Sequence, residues 1–289
     1  MEYGLVFCGG GGRGAYQAGV WKTLEKFGLA RYVSAVSGTS VGALNAAMFC
    51  SVSVYKAERI WSELSQSDIA DPVSAAGRVI GSIVNFAKSD DKTVNRGKIG
   101  SAFNSGLFSR EGLTALIEEN GINAAVTRSP IPCFACLHNT SWGEAEYFDM
   151  RAYPPDTVTR LLWASTAIPA AFAPVDIGGT LYRDGGLSDN TPVKPLYDIG
   201  LRRFIISYLS RDTIDKSKFP DAEFIELVPS EDIYLGEKNT NILNSGTLDF
   251  NGDNAKRRIA LGESESAATL TILASAREKL TVTSNVKKQ

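Results

Sequence analysis

The pentapeptide G-T-S-V-G at 38–42 constrains the fold most, because an apolar strand-like run precedes it and a helix-like run at 41–50 follows it. A serine between two glycines at such a junction is typical of a nucleophile elbow, a sharp strand-to-helix turn that exposes the serine hydroxyl. Gly38 and Gly42 fit this turn, since larger side chains there would collide with the neighbouring strand and helix. The sequence therefore predicts Ser40 as a nucleophile, whose developing charge the helix dipole would stabilise.

Strand-like and helix-like patterns alternate around this elbow. An apolar strand at 3–8, a helical stripe at 16–27, a strand at 32–37 and the helix at 41–50 predict a mostly parallel α/β sheet covered by helices on both faces. Further strands are predicted at 131–138, 144–149, 180–183, 203–209 and 224–228, and further helices at 155–164, 193–198, 254–261 and 264–278. We expect one domain over 1–289, with a core at 4–209, a helical insertion at about 54–120 and a C-terminal strand and helices at 222–278.

A glycine-rich loop, G-G-G-G-R-G at 9–14, joins the first strand to the first helix. Its backbone N–H groups and the helix N-terminus can bind an anion. One such anion is the oxyanion of an acyl-transfer intermediate. Another is a dinucleotide phosphate, because Gly9, Gly11 and Gly14 fit G-x-G-x-x-G. A dinucleotide site needs an acidic residue at the end of the second strand, but 32–37 has none, which favours the oxyanion.

A serine nucleophile needs a base, and the chain contains one histidine, His138. It lies in a predicted strand ahead of the best acidic candidate, whereas in α/β hydrolases the histidine follows the acid. We therefore expect another residue type as the base. Asp184 ends the strand at 180–183, and Gly185 and Gly186 behind it let the backbone turn. Because an exposed aspartate is a weak base, we expect the site to bury Asp184 and raise its pKa.

The three motifs, in this order, resemble the patatin-like phospholipase family, and the echoes at 164–174 and 190–192 extend the match. The resemblance covers 4–209 well and fades toward 262. It implies a patatin-like fold and a phospholipase A or lysophospholipase that cleaves carboxylic esters through a Ser40–Asp184 dyad and an acyl-enzyme, without a cofactor or metal. In the implied oxyanion hole the donors are the amides of Gly10, Gly11 and Gly12, supported by Arg13, Gly14, Gly38, Gly42, Gly185 and Gly186.

Composition and cysteine spacing limit the possible partners, the location and the possible metal or disulfide sites of the protein. The 30 basic and 32 acidic residues leave a formal net charge of -2 and predict no nucleic-acid partner. Without an export signal or an apolar span we expect a cytoplasmic protein that contacts membrane surfaces transiently. Cys133 and Cys136 spell C-x-x-C, but on a strand they point to opposite faces and cannot share a disulfide or a metal.

Two other functions stay open beside the lipid hydrolase. One is a catalytically silent module that keeps the fold to bind a lipid or a partner, and the other is a dinucleotide-binding oxidoreductase. The apolar stripe at 73–87 also has two interpretations, a helix packed on the core or a lid that opens at a lipid surface. The lipid class, the acyl position and any regulatory ligand or protein are not specified by the sequence.

Overall fold

The computed structural model describes residues 2–65, 109–169, 171–235 and 246–286, with side chains described up to 277. The predicted lid at 73–87 and most of the predicted insertion lie outside these residues. The strands are β1 (Tyr3–Phe7), β2 (Val33–Thr39), β3 (Cys133–Asn139), β4 (Glu144–Asp149), β5 (Val175–Ile177), β6 (Thr180–Asp184), β7 (Arg203–Ser207) and β8 (Glu223–Leu227). The described helices are α1 (Ala15–Lys26), α2 (Val41–Ser51), α3 (Val54–Glu63), α4 (Glu111–Glu119), α5 (Ile122–Val126), α6 (Pro155–Ser165), α7 (Lys194–Asp198) and α8 (Gly252–Val286).

The eight strands form one sheet in the order β5-β6-β3-β2-β1-β7-β8, and β4 pairs with β3. Strands β3, β2, β1, β7 and β8 run parallel, whereas β4, β5 and β6 are antiparallel to their neighbours. Every residue of β1 is buried, as expected for a central parallel strand that is covered on both faces. The predicted mostly parallel α/β sheet is confirmed.

Alternate residues of the central strands supply two apolar clusters, one on each face of the sheet. On one face, Leu5 and Phe7 pack in the large core together with α1, α2 and α8. On the other face, Val6 packs with Leu196 of α7 and Phe204 of β7. The sheet is thus a buried middle layer, which holds the carboxyl ends of its parallel strands in fixed positions.

The C-terminal helices predicted at 254–261 and 264–278 are one continuous helix, α8. Gly262 lies inside it, where a Cβ atom would come within 2.1 Å of the Tyr16 carbonyl oxygen. Likewise, a Cβ at Gly19 of α1 would come within 2.0 Å of the Ile259 carbonyl oxygen. The prediction of a break was wrong because a glycine in a helix can serve close packing. Strand β5 and helix α5 were not predicted at all.

Two strand ends meet on one edge of β3. Thr39, the last residue of β2, pairs with Cys136, and Asp184, the last residue of β6, pairs with the next residue along, Leu137. Because β4 occupies the other edge of β3, β2 and β6 must share this edge and run toward each other. The topology therefore brings the residue after Thr39 close to Asp184.

Candidate active site

Ser40 lies at the sharp turn between β2 and α2. Its backbone has φ 56° and ψ -129°, a left-handed conformation that is strained for a residue with a side chain. A Cβ at Gly42 would come within 2.1 Å of the Phe7 carbonyl oxygen, and one at Gly38 would come equally close to the Gly42 carbonyl oxygen, at 2.1 Å. Glycine is therefore required on both sides of the serine. The arrangement has the form of a nucleophile elbow, with Ser40 at the N-terminus of α2.

A second serine holds the elbow in place. The N–H of Ser40 donates to the hydroxyl of Ser165 at 2.9 Å, and that hydroxyl donates to the carbonyl oxygen of Cys136 at 2.8 Å. The Thr39 hydroxyl donates to the Asp189 carbonyl oxygen at 2.8 Å, which ties the elbow to the loop after Asp184. Sequence reasoning gave Ser165 no role, since only the tertiary fold brings the end of α6 to the elbow.

Asp184 is buried, with 6% of its surface exposed. Burial raises the pKa of its carboxyl group from 3.8 to about 6, and hydrogen bonding by the Ser40 side chain and the Gly186 N–H partly offsets this rise. The Gly186 N–H donates to the carboxylate at 2.8 Å. A carboxylate with a pKa of about 6 is ionised at neutral pH and is still basic enough to accept a proton. The site thus contains the Ser40 hydroxyl beside a carboxylate whose pKa is raised by burial.

His138 lies on the opposite face of the sheet from Asp184. It pairs with Arg183, while Asp184 pairs with the neighbouring Leu137, and successive strand residues point to opposite faces. The ring of His138 contacts the hydroxyl of Ser188. Burial and the nearby Arg183 lower the pKa of His138. This geometry gives the histidine no contact with the carboxylate beside Ser40.

The glycine loop has a close partner that the sequence did not indicate. The Gly12 N–H donates to the carbonyl oxygen of Thr247 at 3.0 Å. A Cβ at Gly11, which has φ 58°, would lie 1.8 Å from that same oxygen, and one at Gly12 would lie 1.8 Å from the Asp249 carbonyl oxygen. In this arrangement the Gly12 amide is engaged, which differs from its predicted role. Gly10 and Gly11 remain as oxyanion-donor candidates.

The Arg13 side chain stabilises the glycine loop through hydrogen bonds. Its guanidinium donates to the carbonyl oxygens of Leu209 at 2.8 Å and Gly10 at 3.1 Å. It also lies 5.3 Å from the centre of the Tyr234 ring. These contacts fix the shape of the glycine loop. At Gly14 a Cβ would come within 2.8 Å of Val41, so this glycine lets the loop approach α2.

A buried polar network lies beneath the glycine loop. The Asn45 side chain donates to the carbonyl oxygen of Gly14 at 3.0 Å and to the Gln17 side chain at 2.6 Å, and it accepts from the Trp61 ring N–H at 3.0 Å. Gln17 in turn donates to the carbonyl oxygen of Cys8 at 2.9 Å. Buried polar groups that are satisfied in this way fix the loop rigidly. Sequence reasoning missed these residues, because their pattern resembles ordinary helix positions.

An apolar cavity of about 40 Å³ opens beside Ser40. Its walls come from the elbow and α2, from the segments around α3 and α4, from the end of α6, and from the chain just before α8. A pocket of this character suits an acyl chain. The described lining residues are Gly11, Ser40, Val41, Leu44, Trp61, Leu64, Leu113, Thr166, Ile168, Phe172, Leu248 and Phe250.

The C-x-x-C cysteines lie on β3, as the strand prediction requires, and their side chains reach different neighbours. Cys136 donates to the Asp189 carbonyl oxygen at 3.4 Å, while Cys133 interacts with Cys50. Burial raises the pKa of both strand thiols. Within 2–65, 109–169, 171–235 and 246–286, no three histidine, cysteine or acidic side chains group as metal ligands.

Comparisons with known proteins relate the chain to one family. The family described as patatin-like phospholipase matches residues 5–197, more than half of the chain. Lysophospholipase NTE1 of Cryptococcus neoformans var. neoformans is 25% identical over 206 residues, which are 71% of this chain and 11% of that protein. An uncharacterized NTE family protein of Mycobacterium tuberculosis is 26% identical over 193 residues, 66% of this chain and 44% of that protein. The chain thus spans about a tenth of the length of the fungal relatives.

Two solved structures match the chain at low sequence identity and with TM-scores below 0.5. VipD from Legionella pneumophila has a TM-score of 0.47 and 14% identity, covering 91% of this chain and 67% of VipD. Human GIVD cytosolic phospholipase A2, in complex with methyl gamma-linolenyl fluorophosphonate, has a TM-score of 0.48 and 13% identity, covering 95% of this chain and 58% of that one. Separately, none of the helices in the described part of the chain is long and apolar enough to cross a membrane.

Proposed function

The chain belongs to the patatin-like phospholipase family, and from this premise we propose that it hydrolyses acyl esters of lipids, with Ser40 as nucleophile and Asp184 as base. The observation that carries the proposal is the convergence of β2 and β6 on one edge of β3, which places a strained serine beside a buried carboxylate with a pKa of about 6. The apolar cavity beside Ser40 supports an acyl substrate.

The proposed reaction has two halves. In the first, the Ser40 oxygen attacks the ester carbonyl carbon while Asp184 accepts the hydroxyl proton, and the amides of Gly10 and Gly11 donate to the oxyanion. The tetrahedral intermediate then releases the alcohol, which takes the proton from Asp184. In the second half a water molecule attacks the acyl-enzyme while Asp184 accepts its proton, and Asp184 then returns that proton to the Ser40 oxygen as the fatty acid leaves.

The two alternatives fit the geometry less well. In a dinucleotide-binding protein the pyrophosphate needs access to the glycine loop, whereas here the Thr247 and Asp249 carbonyl oxygens pack directly against Gly11 and Gly12. A silent binding module has no need for a strained serine or for a buried carboxylate, both of which reduce stability. We therefore favour the enzyme.

The proposal is tested by incubating the protein with vesicles of phosphatidylcholine and with micelles of lysophosphatidylcholine, each with short and with long acyl chains. Released fatty acid is measured by mass spectrometry, and Ser40→Ala is the control. We expect release from at least one lipid and none with Ser40→Ala. The name of the fungal relatives makes lysophosphatidylcholine the first substrate to try. Equal release by both proteins, or by neither, would reject the proposal. Transient membrane contact and a cytoplasmic location belong to the same proposal.

A further inference from the structure

We propose that the segment 246–250, which packs on the glycine loop, is the wall that limits the length of the acyl chain at Ser40. Leu248 and Phe250 would be the residues that determine this specificity. The inference rests on the proposed function, because it concerns the acyl group of that same reaction. The segment lies beyond residues 5–197, the part of the chain that matches the family, so the family match does not specify it.

The segment is built into the site by direct backbone contact. Gly12 donates to the Thr247 carbonyl oxygen at 3.0 Å, and the Arg13 guanidinium donates to the Thr247 hydroxyl at 3.3 Å. The glycines leave no room between the two backbones, since a Cβ at Gly11 would lie 1.8 Å from the Thr247 carbonyl oxygen. The neighbouring Leu248 therefore has little freedom to leave the cavity wall.

An ion pair between the buried Arg258 and the partly buried Asp249 fixes the other side of the segment. Arg258 of α8 is fully buried and lies 2.9 Å from the Asp249 carboxylate. Its guanidinium also donates to the carbonyl oxygens of Asp249 at 3.3 Å and Ile233 at 3.1 Å. The Asn254 side chain donates to the same carboxylate at 2.9 Å. A buried charge is strongly destabilising without its partner, so the position of Asp249 depends on Arg258. Arg258 is thus a positioning residue for the wall.

The size of the cavity sets the expected chain length. Its volume of about 40 Å³ corresponds to roughly three water-sized groups. Leu248 and Phe250 contribute two of the apolar side chains around it, along with Leu44 and Trp61. An acyl group of about four carbons has three carbons beyond its carbonyl carbon and would fill this space in the observed arrangement, whereas a longer chain would have to displace the wall. Truncating a wall residue should therefore admit longer chains.

The test measures kcat/KM on soluble p-nitrophenyl esters with acyl chains of two to twelve carbons. In the wild type we expect an optimum near four carbons. Phe250→Ala should move the optimum to longer chains and raise the eight-to-four-carbon ratio by at least about tenfold, since one methylene in an apolar pocket changes kcat/KM by roughly 10- to 200-fold. Leu248→Ala should shift it in the same direction. The matched control is Phe27→Ala, which removes another half-buried aromatic ring away from the cavity.

Arg258 is tested through the same profile. Arg258→Met should move the optimum to longer chains, as Phe250→Ala does, because it releases Asp249, whereas Arg258→Lys should keep part of the wild-type preference. A merely structural role would lower kcat/KM equally for all esters. Thermal unfolding confirms that each variant is folded at the assay temperature.

The outcomes separate the inference from the proposed function. An active wild type whose chain-length profile stays the same in Phe250→Ala and Leu248→Ala would overturn the inference and leave the proposed function intact. A wild type that cleaves twelve-carbon esters as well as four-carbon esters would also overturn it. A folded wild type that cleaves none of the esters and releases no fatty acid from phosphatidylcholine or lysophosphatidylcholine would overturn both.

Discussion

Lowering the pH from 7 to 5 should reduce kcat/KM to roughly a tenth through one ionisation, that of Asp184. Burial raises the pKa of this carboxyl group to about 6, and only the ionised form can accept the proton of Ser40. About nine-tenths of the molecules are ionised at pH 7 and about one-tenth at pH 5. An aspartate with its ordinary pKa of 3.8 would lose almost no activity over this range.

The size of the pKa shift reflects the desolvation of the Asp184 carboxylate. A rise from 3.8 to about 6 is about two units, which corresponds to about 3 kcal/mol against the charged form. The assay is hydrolysis of a soluble ester such as p-nitrophenyl butyrate in a buffer series from pH 4.5 to 8, with circular dichroism at each pH to confirm folding. A value of kcat/KM that stays constant down to pH 5 would show that the carboxylate is solvated or that another group is the base.

Three further predictions use the same structure. The pKa of Asp184 is about 6 in the folded protein and 3.8 in the unfolded chain, so the wild type loses stability as the pH rises between these values. Asn has no charge at this position. The free energy of urea unfolding of Asp184→Asn should therefore increase relative to that of the wild type by up to about 3 kcal/mol between pH 4 and pH 7. If the difference in unfolding free energy between Asp184→Asn and wild type did not change with pH, Asp184 would not carry a buried charge. His138→Ala should keep kcat/KM within about threefold, since its ring contacts Ser188; a loss of several hundredfold in a folded variant would reinstate a histidine base. Gly42→Ala should lower the free energy of unfolding by more than about 2 kcal/mol, because its Cβ would lie 2.1 Å from the Phe7 carbonyl oxygen. An unchanged Tm would refute the packing of the elbow.

The parts of the site that the sequence predicts are those with local signatures. Gly38 and Gly42 flank Ser40 because the turn leaves no room for a Cβ atom at either position. This requirement can be read directly from five consecutive residues of the sequence. Asp184 ends a strand before two glycines, which is again a local pattern. The apolar runs of the parallel strands reflect burial on both faces, so the sheet was predictable in the same way.

The parts that the sequence does not predict depend on contacts between distant segments. Ser165 contacts the Ser40 N–H across 125 positions of the chain, and a serine at a helix end carries no signal of such a contact. Thr247 reaches Gly12 in the same way. This close packing is a second reason why the loop needs glycine, and the motif alone does not reveal it. The continuity of α8 was missed because Gly262 resembles a helix end, although its role is close packing against α1.

The most direct test of the Ser40–Asp184 pair is covalent labelling with a fluorophosphonate, followed by peptide mass spectrometry. The reagent reacts with an activated serine hydroxyl, so we expect a single labelled peptide that contains Ser40. Ser40→Ala should not be labelled, and Asp184→Asn should be labelled at least about a hundredfold more slowly, because the base is lost. Labelling at another serine, or an equal rate in folded Asp184→Asn, would show that Ser40 and Asp184 do not act as nucleophile and base.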